Sequence, residues 1–260
     1  MWRGKKVSVI LPTYNEKDSI KSFISEVFAC EAVDQVIVVN NNASAGTDEE
    51  VRQTQAKLVY ERKQGYGHSI QKGFQEALNG NADWIILSEP DGTFCGHDCL
   101  KLLTYSDDFP VVFGTRTSEI MIWDGANMGL FLKWGNFAVA KMTEFLFNTA
   151  ELSDMGCTMR LFHRKVLEAL REEFTVGGSH FGPEMLLLVI THKIPFIEIP
   201  LNYRQRVGVS AVTGDHKKAF FLGIRMIRMI LSWRLKTIFR KPNPIELDLK
   251  AHSSLTVRNA

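Results

Sequence analysis

Short, mostly apolar runs in the first half of this chain stop abruptly in polar loops, with amphipathic helical segments between them. Val7-Ser8-Val9-Ile10-Leu11 ends in Pro12-Thr13-Tyr14-Asn15-Glu16, and Ile20, Phe23, Ile24, Val27 and Phe28 then recur at helical spacing. A second run, Val36 to Val39, enters the polar loop 40–47, and a third, Trp84-Ile85-Ile86-Leu87, enters Ser88-Glu89-Pro90-Asp91. Fully apolar strands separated by helices are buried on both faces, which predicts an α/β fold with a mainly parallel sheet flanked by helices. In such a sheet the ends of neighbouring strands form the ligand crevice. The polar loops are therefore where chemistry is expected.

The same pattern continues along the chain. A short helix is predicted over 48–55, a strand over 58–60, and a helix from the Lys63-Gln64-Gly65-Tyr66-Gly67-His68 turn to about Leu78. Further helices are expected over 98–105, 127–147 and 183–191, and further strands over 110–113, 159–163 and 194–200. Residues 204–216 read as a polar, glycine-containing loop, and 241–260 as a flexible tail without apolar periodicity. The expected organisation is one catalytic domain over 1–240, with a nucleotide-binding half over about 1–116 and an acceptor half over about 117–240.

Gross composition narrows the class. Thirty-one Lys and Arg against 29 Asp and Glu leave a net charge of +2, which argues against nucleic acid as a partner. Cys30, Cys95, Cys99 and Cys157 show no metal-type spacing, and reduced thiols in a cytoplasmic protein are expected. The opening Met1-Trp2-Arg3-Gly4-Lys5-Lys6 is not a secretory leader, and no apolar run is long enough to span a bilayer. The histidines lack HExxH spacing, and neither a GxxxxGK loop nor a GxSxG elbow occurs.

Glu89 and Asp91, one residue apart at a strand end, can present two carboxylates to one hard cation such as Mg²⁺ or Mn²⁺. Pro90-Asp91-Gly92 also satisfies ordinary turn chemistry without any metal. Gly65-Tyr66-Gly67 before a helix has the form of an anion-binding helix start. Arg116, after Phe113-Gly114-Thr115, and Arg204 or Arg206 in the late loop offer the planar fork that suits phosphate, or are solvated surface cations.

Strand-Pro-Thr-Tyr-Asn-Glu, the 40–47 loop, the carboxylate pair and Phe113-Gly114-Thr115-Arg116, in that order, resemble the family 2 glycosyltransferases of GT-A fold, and most nearly the dolichyl-phosphate mannosyltransferase and polyprenyl-phosphate glycosyltransferase group. The resemblance runs from about Val7 to about Ile230. It implies an inverting transfer of a sugar from a GDP- or UDP-linked donor to a polyprenyl phosphate, with Mg²⁺ or Mn²⁺ at Glu89 and Asp91. Glu89 departs from the usual Asp-x-Asp by one methylene, so Asp91 is the nearer match. Pro12, Tyr14 and Glu16 match the residues that grip the nucleoside, and Gly65 borders the donor. Asn40 and Asn41 stand where the family commonly has two aspartates, which leaves the base open between guanine and uracil. Arg116 and Arg206 match diphosphate-binding arginines. Asp154, in Ser153-Asp154-Met155-Gly156, matches an acceptor-side aspartate that orients the acceptor or acts as a base.

Segment 217–236 reads as a basic amphipathic helix. Lys217, Lys218, Arg225, Arg228, Ser232 and Lys236 gather on one side, Phe220, Ile224, Ile227, Ile230, Leu231 and Leu235 fill much of the rest, and Arg234 and Arg240 add charge. Such a helix suits peripheral contact with an anionic membrane on its cytoplasmic face. It equally suits a helix on the sheet with a solvated basic stripe, and a second copy of the chain could cover the same apolar face. Three rival functions remain at this stage: the same transfer to a soluble saccharide or small alcohol, a catalytically silent nucleotide-sugar-binding module, and a nucleotidyltransferase.

Overall fold

The apolar runs become strands β1 (Val7–Thr13), β2 (Gln35–Asn40), β3 (Lys57–Tyr60), β4 (Trp84–Leu87), β5 (Val111–Thr115), β6 (Arg160–His163) and β7 (Phe196–Pro200). Between them lie helices α1 (Lys17–Phe28), α2 (Thr47–Arg52), α3 (Tyr66–Asn79), α4 (Asp98–Thr104), α5 (Leu130–Phe147), α6 (Arg164–Leu170), α7 (Phe181–Thr191) and α8 (His216–Phe239). The computed structural model describes residues 1–126, 129–208, 216–239 and 244–245. One sheet in the order β3-β2-β1-β4-β6-β5-β7 runs through both halves of the chain. β3, β2, β1 and β4 pair in parallel, as do β5 and β7, whereas β6 runs antiparallel between β4 and β5.

Strand pleating divides the core in two. Ile10, Ile37, Ile85 and Leu87 face the layer formed by α3, α5, α6, α7 and α8. Val9, Leu11, Val36, Val38 and Ile86 face α1 and α4. Gly73 sets how closely α3 approaches the sheet. A Cβ there would come within 2.3 Å of Ile10 Cγ2, so any side chain would lift the helix off β1.

The expected elements all form, with shifts at their ends. α2 stops at Arg52, β5 continues to Thr115, and β7 starts at Phe196. α7 begins at Phe181, so Pro183 lies inside its first turn, where a missing N–H costs no helical bond. α5 begins at Leu130, and residues 127–128 of its expected start lie outside the described residues. Periodicity did not reveal α6. It follows β6 without a turn, and its first turn is capped by His163, whose Nδ1 accepts from Lys165 N at 3.2 Å. Histidine is not a standard helix-start signal. Residues 209–215, Arg240 and most of the expected 241–260 tail also lie outside the described residues, as does the Lys218 side chain.

Candidate active site

The C-terminal ends of β1, β2 and β4 open into a cavity of about 420 Å³. Pro12, Tyr14, Glu16, Asn41, Gly65, Glu89, Asp91, Arg116 and Arg206 line it, which brings most of the predicted site residues together from distant parts of the chain. Asn40 and Asp154 do not line it, nor do Arg204, His68 and His97.

Glu16 follows β1 directly and sits at the head of α1, yet its carboxylate caps no helical N–H there. It turns back, and Oε2 accepts from Tyr14 N at 2.6 Å and Asn15 N at 2.8 Å. This holds the Pro12-to-Glu16 turn rigid and leaves Tyr14 about half exposed at the cavity mouth. Glu16 Oε1 accepts from Arg206 Nη2 at 3.1 Å, and the same guanidinium places Nη1 2.5 Å from Asp91 Oδ2. One arginine of the late loop thus bridges the turn after β1 and the carboxylate turn after β4. Its neighbour Arg204 is forked on Glu26 at 2.7 and 3.2 Å.

Asp91 is held by Thr93, whose N–H and hydroxyl donate to Oδ1 at 2.9 and 2.5 Å. Its Oδ2 is buried, makes no hydrogen bond of good geometry and is ion-paired to Arg206. Beside it, burial and then the Asp91 charge push the Glu89 carboxyl up to about 7. Two neighbouring carboxyl groups, one with a buried oxygen whose ion-pair partner Arg206 makes no hydrogen bond of good geometry to it, fit a hard divalent cation that keeps its remaining positions for phosphate and water. Among the described residues no cluster of three or more His, Cys, Asp or Glu side chains could hold a metal, so an all-protein cage is not formed.

Asn41 explains one departure from the family pattern. Its Nδ2 donates to the Glu61 and Lys63 carbonyls at 2.8 and 2.9 Å, and its Oδ1 accepts from Gly65 N at 2.8 Å. An aspartate could not make the first two bonds. Asn41 therefore ties the end of β2 to the turn before α3. Gly65 has φ +147° there, and a Cβ would meet the Gly177 carbonyl at 2.3 Å. Asn40 turns to α2, donating to Asp48 Oδ1 at 2.6 Å.

Arg116 reaches the cavity from the end of β5 and is clamped from behind. Asp154 Oδ2 accepts from its Nε at 2.8 Å and backbone N–H at 3.1 Å, and Oδ1 accepts from Nη2 at 3.0 Å and Gly156 N at 2.9 Å. Burial alone would raise the Asp154 carboxyl, but the Arg116 charge and hydrogen bonds hold it below its usual range. Glu198 of β7 supports this turn, accepting from Ser153 N at 2.7 Å, Ser153 Oγ at 2.5 Å and Asp154 N at 3.1 Å. Burial pushes Glu198 up to about 7 despite those donors.

Sequence reasoning missed several cavity residues, among them Tyr66, Thr158, Ser179, Tyr203 and Leu222. Tyr66 lay inside a motif read only for its glycines. Tyr203 packs under Arg116, whose guanidinium carbon is 5.3 Å from the ring centre. Leu222 comes from α8, so the basic helix forms part of the cavity wall.

A mainly parallel sheet whose ends carry a rigid turn after β1 and paired carboxylates after β4, with two arginines in the same cavity, has the arrangement of a GT-A glycosyltransferase. The chain belongs to glycosyl transferase family 2, whose profile matches residues 8–171. It is 23% identical, over 76% of its own length and 85% of the relative's, to a UDP-N-acetylglucosamine--dolichyl-phosphate N-acetylglucosaminyltransferase from Methanococcus voltae. An undecaprenyl-phosphate 4-deoxy-4-formamido-L-arabinose transferase from Photorhabdus laumondii is 25% identical over 88% of this chain and 67% of that protein. Glucosyl-3-phosphoglycerate synthase from Mycobacterium tuberculosis, solved with Mn²⁺, UDP-glucose and phosphoglyceric acid, shares the fold at a TM-score of 0.68, with 13% identity over 99% of this chain and 89% of that one.

Proposed function

We propose that this transferase moves a sugar, with inversion, from a nucleotide-diphosphate sugar to a polyprenyl phosphate at the cytoplasmic face of a membrane. One observation carries the reading: the donor-type cavity and the amphipathic α8 share a wall at Leu222. The outer face of α8 exposes Phe221, Leu231, Leu235 and Phe239, the last at 87%, beside exposed Arg225, Arg228 and Lys236. Phe220 and Ile224 are also exposed, whereas Ile230 is buried and Ile227 half-buried against the core. An apolar face with cations beside it suits an anionic lipid surface. Among the described residues no helix is long and apolar enough to cross a membrane. The Methanococcus and Photorhabdus relatives, named for dolichyl and undecaprenyl phosphate acceptors, support the same acceptor class.

In this reading Tyr14 and Glu16 hold the nucleoside, and Asp91 with Glu89 holds Mg²⁺ or Mn²⁺. The cation, when bound, neutralises charge on the diphosphate leaving group as a Lewis acid. Arg206, held by single contacts to Asp91 and Glu16, is the residue that would pair with the diphosphate, while Arg116, clamped by Asp154, would supply a fixed positive charge. Asp154 is a positioning residue that aims Arg116 and is not free to take a proton. A phosphate monoester acceptor has its second pKa near 6, so its oxygen is already a nucleophile at about neutral pH and needs no base.

The test is transfer by purified protein to vesicles containing a short polyprenyl phosphate, with a panel of UDP- and GDP-sugars and Mg²⁺ or Mn²⁺. Sugar-lipid product that disappears with EDTA and in Asp91→Asn is expected. Turnover confined to a water-soluble alcohol or saccharide would overturn the acceptor, donor binding without turnover on any acceptor would leave a silent nucleotide-sugar-binding module, and absence of donor binding under every metal would overturn the donor reading of the cavity.

A further inference from the structure

The floor of the cavity carries polar groups that neither the fold nor the diphosphate reading uses. The Tyr66 and Thr158 hydroxyls are both buried, both on residues lining the cavity, and neither makes a hydrogen bond of good geometry. They approach from different directions: Tyr66 opens α3, and Thr158 lies in the turn just before β6. The Tyr66 hydroxyl feels both the Glu89 carboxylate and the Thr158 hydroxyl. We infer that Tyr66 and Thr158 form the subsite that reads the hydroxyl pattern of the transferred sugar. The inference rests on the cavity being a nucleotide-sugar site.

Three features support it. Buried polar groups left without partners are costly, so a persistent pair of them at a cavity floor marks hydrogen bonds completed by a ligand. Each hydroxyl both donates and accepts, as sugar hydroxyls do. The neighbouring carboxylates favour a neutral polyol over phosphate at this point, and the nucleoside turn lies at a different strand end.

The site is also rigid. The fully buried Arg160 donates to the carbonyls of Cys157 at 2.8 Å, Gly182 at 2.6 Å and Met155 at 3.3 Å. These bonds pin the turn that carries Thr158. On the other side, the close approach of Gly65 to the Gly177 carbonyl fixes the start of α3. A pre-organised pair of this kind discriminates between sugars because a donor lacking the matching hydroxyl leaves the pair unsatisfied.

Tyr66→Phe and Thr158→Val remove the hydroxyls and keep the shapes. Calorimetric titration without acceptor, in Mn²⁺, gives the affinity of each protein for a nucleotide diphosphate and for the matching nucleotide sugar. Each substitution should lower the nucleotide-sugar affinity roughly 3- to 10-fold more than it lowers that of the bare nucleotide. The double variant should also bind epimeric donor sugars almost alike where the wild type separates them. Unfolding midpoints of the free variants should be unchanged or raised, because an unsatisfied buried group has been removed. Equal losses for nucleotide and nucleotide sugar, or an unchanged ratio, would overturn the inference while leaving the function intact. If the wild type binds no nucleotide sugar, the reading of the cavity falls and the inference with it.

Discussion

Arg116 and Arg206 both reach the cavity, but their carboxylate partners hold them differently. Arg116 is closed on Asp154 by two side-chain bonds and a backbone bond, and its guanidinium lies over the Tyr203 ring. Arg206 touches Glu16 and Asp91 by one nitrogen each, and its buried Nε has no hydrogen-bond partner. A paired fork gives a fixed charge, whereas single contacts shared between two acids give a charge that can be exchanged. The cavity therefore combines one cation locked by a paired fork with one held only by single contacts.

The largest effect should follow from breaking the permanent pair. Asp154→Asn leaves Arg116 buried opposite a neutral amide, and removing one partner of a buried ion pair costs about 3–5 kcal/mol. Denaturant unfolding should show that loss with an unchanged slope. If stability hardly moves while transfer to an alcohol acceptor collapses, Asp154 acts as a base and not as the clamp of Arg116.

Arg206→Ala tests the exchangeable side of the comparison. Loss of one charge-stabilising group at a developing anion lowers turnover by roughly 10²-fold. Asp91 Oδ2 would meanwhile lose the one cation among the described residues that pairs with it, so Mn²⁺ titrated without nucleotide should bind more tightly than in the wild type. Opposite signs in the two measurements are the signature of exchange, and weaker Mn²⁺ binding would refute it. Arg204→Ala supplies the control, since that arginine pairs with the partly exposed Glu26 outside the cavity and should cost less than about 1 kcal/mol.

This contrast also marks what the sequence could convey. Strand ends followed by polar turns are local signals, so Pro12, Tyr14, Glu16, Glu89 and Asp91 were readable as one crevice. The state of Asp154 was not, because its partners Arg116 and Glu198 lie 38 and 44 residues away and meet it only through the order of β5, β6 and β7. Asn41 looked like a lost carboxylate because its two carbonyl partners belong to the turn before α3. The division of labour between Arg204 and Arg206, two residues apart in one loop, depends on Glu26 and Glu16 from opposite ends of α1. Thr158 and Tyr66 carry no motif at all. They become a pair only when α3 and β6 share one cavity.

Glu198 offers the finest test of the permanent side, through pH. Its folded pKa of about 7 lies above the ordinary 4.5, so the folded state binds the extra proton between these values. Stability from this group is full below about pH 4.5 and is lost as pH rises through about 7. The loss is on the order of 1–3 kcal/mol, after discounting for partial exposure. Glu198→Gln should flatten the fall in unfolding free energy between about pH 5 and 8 relative to the wild type. Glu89, also pushed up to about 7, tilts both curves equally and cancels in the difference. Parallel curves would mean that Glu198 is ionised throughout and that Ser153 and Asp154 N–H groups outweigh its burial.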